Sequence, residues 1–199
     1  MNPHFLQSAA WQSFQEALGR KVYRQKGIDW EFMAILEPGT RLSPSRLYCP
    51  YGPTVSSIKG LKSALKALTK LATSLGVKFV RVEPLGVKFN AKDFRLKRVN
   101  YSQPAHTWQI DLNRSSDEII SQMKQNNRNI YRNYRKKGLS YRSSNNPNDC
   151  KYLIKLLHGV AAHNNITIHS DKYLQTQADV LLPINSAKLH FISLESKVI

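Results

Sequence analysis

LYCPYGPTVSSIKGLKSALKALTKLATSLGVKFVRVEP, residues 47–84, reads as a strand, a helix and a second strand in succession. Residues 47–49 are a short apolar strand, and two prolines and a glycine in 50–53 fix a rigid turn after it. Ile58, Leu61, Leu65, Leu68, Ala72 and Leu75 then recur at intervals of three and four, the period of a helix with one buried face. Gly76 ends that helix, and residues 77–82 alternate as a strand closing at Glu83-Pro84. Strand, helix and strand in this order make a right-handed crossover between parallel strands by default. Lys59, Lys62, Lys66 and Lys70 lie off the buried face and read as a solvated surface.

Working outward, a short helix is expected from Gln7 or Ser8 to Leu18, with Trp11, Phe14 and Leu18 at helical spacing and Gly19 as its stop. A strand beginning near Tyr23 is cut short by Lys26-Gly27, and residues 30–36 (WEFMAIL) read as a buried strand. Downstream, residues 86–102 are a basic, irregular excursion. Residues 107–112 (TWQIDL) alternate as a strand with Trp108, Ile110 and Leu112 on one face. A short strand at 139–141 precedes a helix opening at Asn148 or Asp149, with Tyr152, Leu153, Leu156, Leu157 and Val160 on its buried side. A further helix over 170–181 and a strand over 188–193 follow. The last residues, Lys197-Val198-Ile199, read as the opening of another strand, so the chain is expected to stop inside a second domain. The expected class is α+β, with domain boundaries at 1–145 and 146–199.

Within the first expected domain lies the most basic segment, SSDEIISQMKQNNRNIYRNYRKKG, residues 115–138. Ser115 and Glu118 have capping-box spacing, and Gly138 suits a left-handed helix end. At about 100° per residue, Ile119, Met123, Ile130 and Tyr134 share one side of a single helix. Lys124, Arg128, Arg132 and Arg135 form a stripe on another, which Lys136 and Lys137 extend. No acidic residue occurs between Glu118 and Asp149, so no local carboxylate neutralises the stripe. Such a surface suits a phosphate-bearing partner; a solvated face with cations at the helix C-terminus accounts for the same pattern.

Thirty Lys and Arg against thirteen Asp and Glu leave a net charge of +17 over 199 residues. That balance points to an anionic partner: nucleic acid, an anionic membrane surface or a phosphorylated substrate. Cys49 and Cys150 are far apart and match no metal spacing, which fits two free thiols in a reducing compartment. The N-terminal residues lack a basic segment followed by an apolar run, and no stretch approaches the ~20 apolar residues of a membrane span. A cytoplasmic protein is expected, with peripheral contact at the inner face of the membrane as an option. Catalytic signatures are sparse. His158 and His163 are five apart with no intervening Glu, and neither a nucleophile elbow nor a phosphate-binding lysine loop is present. Arg135-x-x-Gly138-x-Ser140 departs from an acetyl-CoA loop in its last residue and in closing a helix where that loop opens one. No cofactor and no metal are expected, and no catalytic residue is assigned.

Several separated stretches together resemble the FemAB/FemX family of peptidoglycan-bridge aminoacyl transferases. They are Phe5-Leu6-Gln7-Ser8 with Trp11, residues 48–53 (YCPYGP), residues 80–84 (VRVEP), Ile110-Asp111-Leu112, residues 128–132 (RNIYR) with Lys136-Lys137-Gly138, and residues 162–173. Their order and spacing run along nearly the whole chain. The resemblance implies acetyltransferase-like (GNAT-like) domains, each a mixed, largely antiparallel sheet flanked by helices. It implies transfer of an amino acid from aminoacyl-tRNA to the peptide amine of a UDP-linked or lipid-linked peptidoglycan precursor. By the same resemblance Arg128, Arg132, Lys136 and Lys137 are expected to contact phosphate or tRNA, and Tyr173 to lie near the precursor. His169 stands where one branch has an arginine on the precursor diphosphate, and the stretch after Trp11 lacks that branch's lysine. A non-catalytic nucleic-acid-binding module using 115–138 is the alternative.

Overall fold

The computed structural model describes residues 4–41, 43–100, 102–104 and 106–199. The chain divides into two compact units, Met1–Ala105 and His106–Ile199. The division expected from sequence lay at 145. The observed one puts the basic segment in the second unit, because the strand that follows that segment pairs with one near the C-terminus.

In the first unit, α1 (Ala9–Ala17) is capped by the Ser8 side chain, which accepts from the Trp11 N–H. Strands β1 (Lys21–Lys26), β2 (Trp30–Glu37) and β3 (Arg46–Cys49) pair antiparallel, and β4 (Thr54–Val55) pairs with the start of β2. Helix α2 (Ile58–Ser74), capped by Ser57, leads to β5 (Phe79–Val82), which lies parallel to β3 as the crossover reading requires. The sheet order is β1-β2-β3-β5.

Strand β2 has Phe32, Met33, Ala34 and Ile35 all buried, so the sheet is covered on both faces. One face packs against the helical repeat: Phe32, Ala34, Leu47 and Cys49 form a cluster with Leu68 and Ala72 of α2. Buried Gln7 donates through Nε2 to the carbonyls of Met33 (3.1 Å) and Pro50 (2.6 Å) and accepts the Met33 N–H at Oε1 (2.7 Å). That amide therefore joins the N-terminal turn to the sheet centre and to the 50–53 turn. A Cβ on Gly52 would come within 2.7 Å of the Cys49 sulfur and 2.8 Å of Gln7, so only glycine fits there. Glu83 ties the other side of that turn. Its carboxylate accepts from the Tyr48 hydroxyl (3.1 Å) and from the backbone N–H groups of Tyr51 (3.1 Å) and Gln103 (3.3 Å).

The second unit begins with a correction. Residues 107–112, expected as a strand, form none, and Trp108 and Leu112 are 91% and 81% exposed. Alternation suits a strand, but a strand also needs a neighbour to take its backbone hydrogen bonds. After α3 (Ser116–Ser121) and α4 (Gln125–Asn133), a 3₁₀ turn over Arg135–Lys137 ends at Gly138, which is left-handed at φ 70°. Strand β6 (Leu139–Ser144) leads to α5 (Cys150–Asn164) and α6 (Asp171–Leu181), then to β7 (Leu189–Leu194) and β8 (Lys197–Val198). The three strands make an antiparallel sheet, and the β7–β8 hairpin turns on Glu195 and Ser196, both at positive φ, as a primed two-residue turn demands. Cys150, Ala178 and Leu182 are its buried cluster, with Ile154, Leu174 and Leu189 packed around them. The fold class is α+β with mixed and antiparallel sheets flanked by helices. No helix among the described residues is long and apolar enough to cross a membrane.

Candidate polyanion interface

The segment expected to be one helix over 115–138 is two helices with a break between them. The capping box is present: the Ser115 hydroxyl accepts from the Glu118 N–H, and the Glu118 carboxylate accepts from the Ser115 N–H at 2.9 Å. The Ser115 hydroxyl also donates to that carboxylate at 2.8 Å, and this bond, with the one from the Ser115 N–H, holds the Glu118 carboxyl below the usual carboxylate range. Helix α3 then closes at Gln122, Lys124 is extended at φ −57° and ψ 146°, and α4 starts at Gln125. Four of its first five residues are Gln125, Asn126, Asn127 and Asn129, and asparagine is a poor helix former.

The break is served by Arg128. Its Nη1 donates to the carbonyl oxygens of Ser121 and Met123, each at 2.8 Å. Those carbonyls would otherwise end α3 without partners. Arg128 is half-buried, and its guanidinium is engaged with backbone. It is the residue of the predicted stripe least available to an external phosphate.

The other stripe residues divide as follows. Lys124 sits at the break, exposed, with no side-chain cap bond. Arg132 is exposed in the last turn of α4 and makes no hydrogen bond or ion pair among the described residues. Arg135 donates through Nε to the Tyr134 hydroxyl at 3.1 Å and lies over that ring. Lys136 and Lys137 are exposed in the 3₁₀ turn. The expected apolar side is only partly covered: Ile119, Met123 and Tyr134 are half-buried, Ile130 is 51% exposed, and no residue of α3 or α4 is fully buried. A break between the helices removes the common axis on which that face was counted.

His169 and Tyr173 come together at the start of α6, stacked with ring centroids 4.1 Å apart and planes 17° from parallel. Ser170 caps that helix by accepting the Tyr173 N–H. The predicted residues thus stand on two supports, α4 with its following turn and the start of α6.

Sequence reasoning missed two features. Asn126, Asn129, Ile130, Asn133 and Lys137 line a shallow hollow of about 430 Å³ along α4. The i, i+3, i+7 spacing of the asparagines was the available signal. A second hollow, of about 800 Å³, lies between α5 and the sheet of the same unit. No group of three or more metal-ligating side chains occurs among the described residues. Cys49 and Cys150 are free and buried, and burial pushes both thiols up.

No protein-family model and no curated relative matches the sequence. Among solved structures the chain is similar to the crystal structure of FemX, at 17% identity and a TM-score of 0.77. The match covers 97% of this chain and 53% of that one, so this chain spans about half the length of FemX. Over nearly all of its own length, the chain has the fold of FemX.

Proposed function

We propose that the protein takes part in moving an amino acid from aminoacyl-tRNA to the peptide amine of a peptidoglycan precursor. The observation that carries this reading is the FemX-like fold over 97% of the chain, with exposed cations grouped at 124–137. Both substrates are polyanions, and the net charge of +17 suits them. On this reading the first unit is a GNAT-like domain and the second belongs to a partner domain of the same kind. The reaction is cytoplasmic, at or near the inner membrane face.

Chemically, the precursor amine attacks the carbonyl carbon of the aminoacyl ester. A C–N bond forms, the C–O bond to the ribose breaks, and the proton lost by the amine ends on the ribose oxygen. The protein's part is to hold two anionic substrates together, which by itself supplies a large share of the rate. Lys124, Arg132, Arg135, Lys136 and Lys137 are the phosphate contacts in this reading, and His169 and Tyr173 face the precursor. Arg128 positions the break between α3 and α4. No side chain is assigned as general base, and no cofactor is invoked.

The row of asparagines beside these cations favours one second reading, an RNA-binding module without catalysis. One assay separates them. A transferase consumes aminoacyl-tRNA only when precursor is present and yields a precursor heavier by one aminoacyl residue. A binding module holds charged and uncharged RNA alike and leaves the ester intact.

A further inference from the structure

The lysines of α2 read from sequence as a solvated surface, and the structure gives that surface a shape and a neighbour. Lys59, Lys62, Lys66 and Lys70 are all exposed. At about 100° and 1.5 Å per residue they fall in one arc of about 80° and span about 16 Å along the axis, opposite buried Leu61, Ala64, Leu68 and Ala72. None is in an ion pair among the described residues. No Asp or Glu occurs between Glu37 and Glu83, so neither the helix nor the segments flanking it supply a counter-charge. At the start of the row stands an uncovered apolar side chain. The turn between β1 and β2 abuts the first turn of α2. The Asp29 carbonyl accepts the Ser56 N–H at 3.0 Å, the Ser57 hydroxyl donates to the Asp29 carboxylate, and a Cβ on Gly60 would come within 2.6 Å of the Asp29 carbonyl oxygen. That turn presents Ile28, fully exposed, beside exposed Lys26. Ile58, the first residue of α2, is 49% exposed.

The composition of the face selects among anionic partners. Between its lysines lie only small hydroxyl residues, Ser63, Thr69 and Thr73, and the helix contains no Arg, aromatic, Asn or Gln residue. Nucleic-acid and protein recognition draw on arginine forks, aromatic platforms and side-chain amides. Lysine acts as a point charge on a flexible stem. A bilayer of anionic phospholipids asks only for such charge near its surface, together with apolar side chains that enter the headgroup layer. The apolar face of α2 is taken up by the core of its own unit. The helix therefore rests on such a surface, and Ile28 is the side chain free to enter it.

We propose that the lysine face of α2, with Ile28 as an apolar wedge at its end, docks the protein on an anionic phospholipid surface. The assignment stands on the first unit alone and does not depend on the transferase reading, which a failure of vesicle binding would leave intact. The test is cosedimentation of the full chain with sucrose-loaded vesicles of phosphatidylcholine containing phosphatidylglycerol. Vesicles of phosphatidylcholine alone are the comparator and should bind at least about tenfold more weakly. A lysine near an anionic surface contributes about fivefold in affinity. Joint Lys59→Gln, Lys62→Gln, Lys66→Gln and Lys70→Gln substitution should therefore weaken binding to the anionic vesicles by about a hundredfold or more. Lys151, Lys155, Lys172 and Lys188 are exposed in the second unit. Changing those four to Gln removes the same charge and should cost less than about fivefold. Ile28→Ser should weaken binding by about fivefold and leave its salt dependence as in the parent. Glutamine keeps the helix propensity of lysine, and a melting temperature equal to the parent's shows that the fold is intact. If the fourfold α2 variant does not fold, Lys62→Gln with Lys66→Gln decides, with an expected loss of about tenfold or more. Equal binding to both kinds of vesicle, equal losses in the two fourfold variants, or indifference to Ile28→Ser would overturn the proposal. So would an α2 variant that loses affinity for an RNA hairpin and keeps its vesicle binding, which would make nucleic acid the partner of this face.

Discussion

Arg128 and Arg132 are one helical turn apart and look equivalent in sequence, yet the structure assigns them opposite roles. Removing the Arg128 guanidinium strips two hydrogen bonds, each 2.8 Å, from the carbonyls of Ser121 and Met123. A bond from a charged donor contributes ~1.5–3 kcal/mol when well sheltered. Ser121 is exposed and Met123 half-buried, so water recovers part of this, and Arg128→Ala should destabilise the second unit by about 1–2 kcal/mol. In a unit of this size that lowers the melting temperature by roughly 5–10 °C. Arg132→Ala should leave the melting temperature nearly unchanged, since exposed substitutions fall within about 0.5 kcal/mol. In RNA binding the order reverses. Losing Arg132 should reduce the slope of log K against log salt by about 0.7–0.9. Losing Arg128, assayed well below its melting point, should leave the slope near that of the parent. Thermal unfolding of the three proteins, with salt titrations against an RNA hairpin, reads both quantities. The reasoning fails if Arg128→Ala melts with the parent and loses as much salt slope as Arg132→Ala.

Gln7→Ala removes the partner of a buried N–H and of two buried carbonyls; urea unfolding should show a loss of about 3 kcal/mol, whereas a loss under 1 kcal/mol would contradict the buried tie. The Arg142 guanidinium, with the Ser144 hydroxyl, holds the Asp149 carboxyl below the usual carboxylate range. A depressed carboxyl stabilises the fold above its unfolded value of about 4 and ceases to do so as pH falls through the folded value. Asp149→Asn should therefore be less stable than the parent by about 0.5 kcal/mol near neutral pH, with the gap closing below about pH 4. The Cys49 thiol, fully buried and pushed up by that burial, should resist alkylation in the native protein at neutral pH and react once the chain is unfolded. Mass spectrometry of the labelled protein, with and without urea, checks this.

Much of the first unit was legible because its signals are local. The three–four repeat from Ile58 to Leu75, the helix start at Ser8 and the apolar run of β2 each lie within a few turns of chain. The Ser115–Glu118 box and the left-handed Gly138 were legible for the same reason. Residues 107–112 misled because alternation reports an extended backbone and says nothing of whether a neighbouring strand exists. The break at 122–124 was hidden because the residue that satisfies the freed carbonyls lies one turn further on, in the next helix.

By itself, then, the sequence determined the α+β class, the crossover through α2 and the positive charge. Helical period, capping and composition are properties of short windows, so they survive without coordinates. Tertiary structure decided which cations are free. It turned Arg128 onto backbone, left Arg132 exposed, and brought Arg142 over the Phe191 ring through a pairing that bridges the 49 residues between them. A charge can meet a ligand only where the fold leaves it without an internal partner, and pairing across such separations is set by the packed chain.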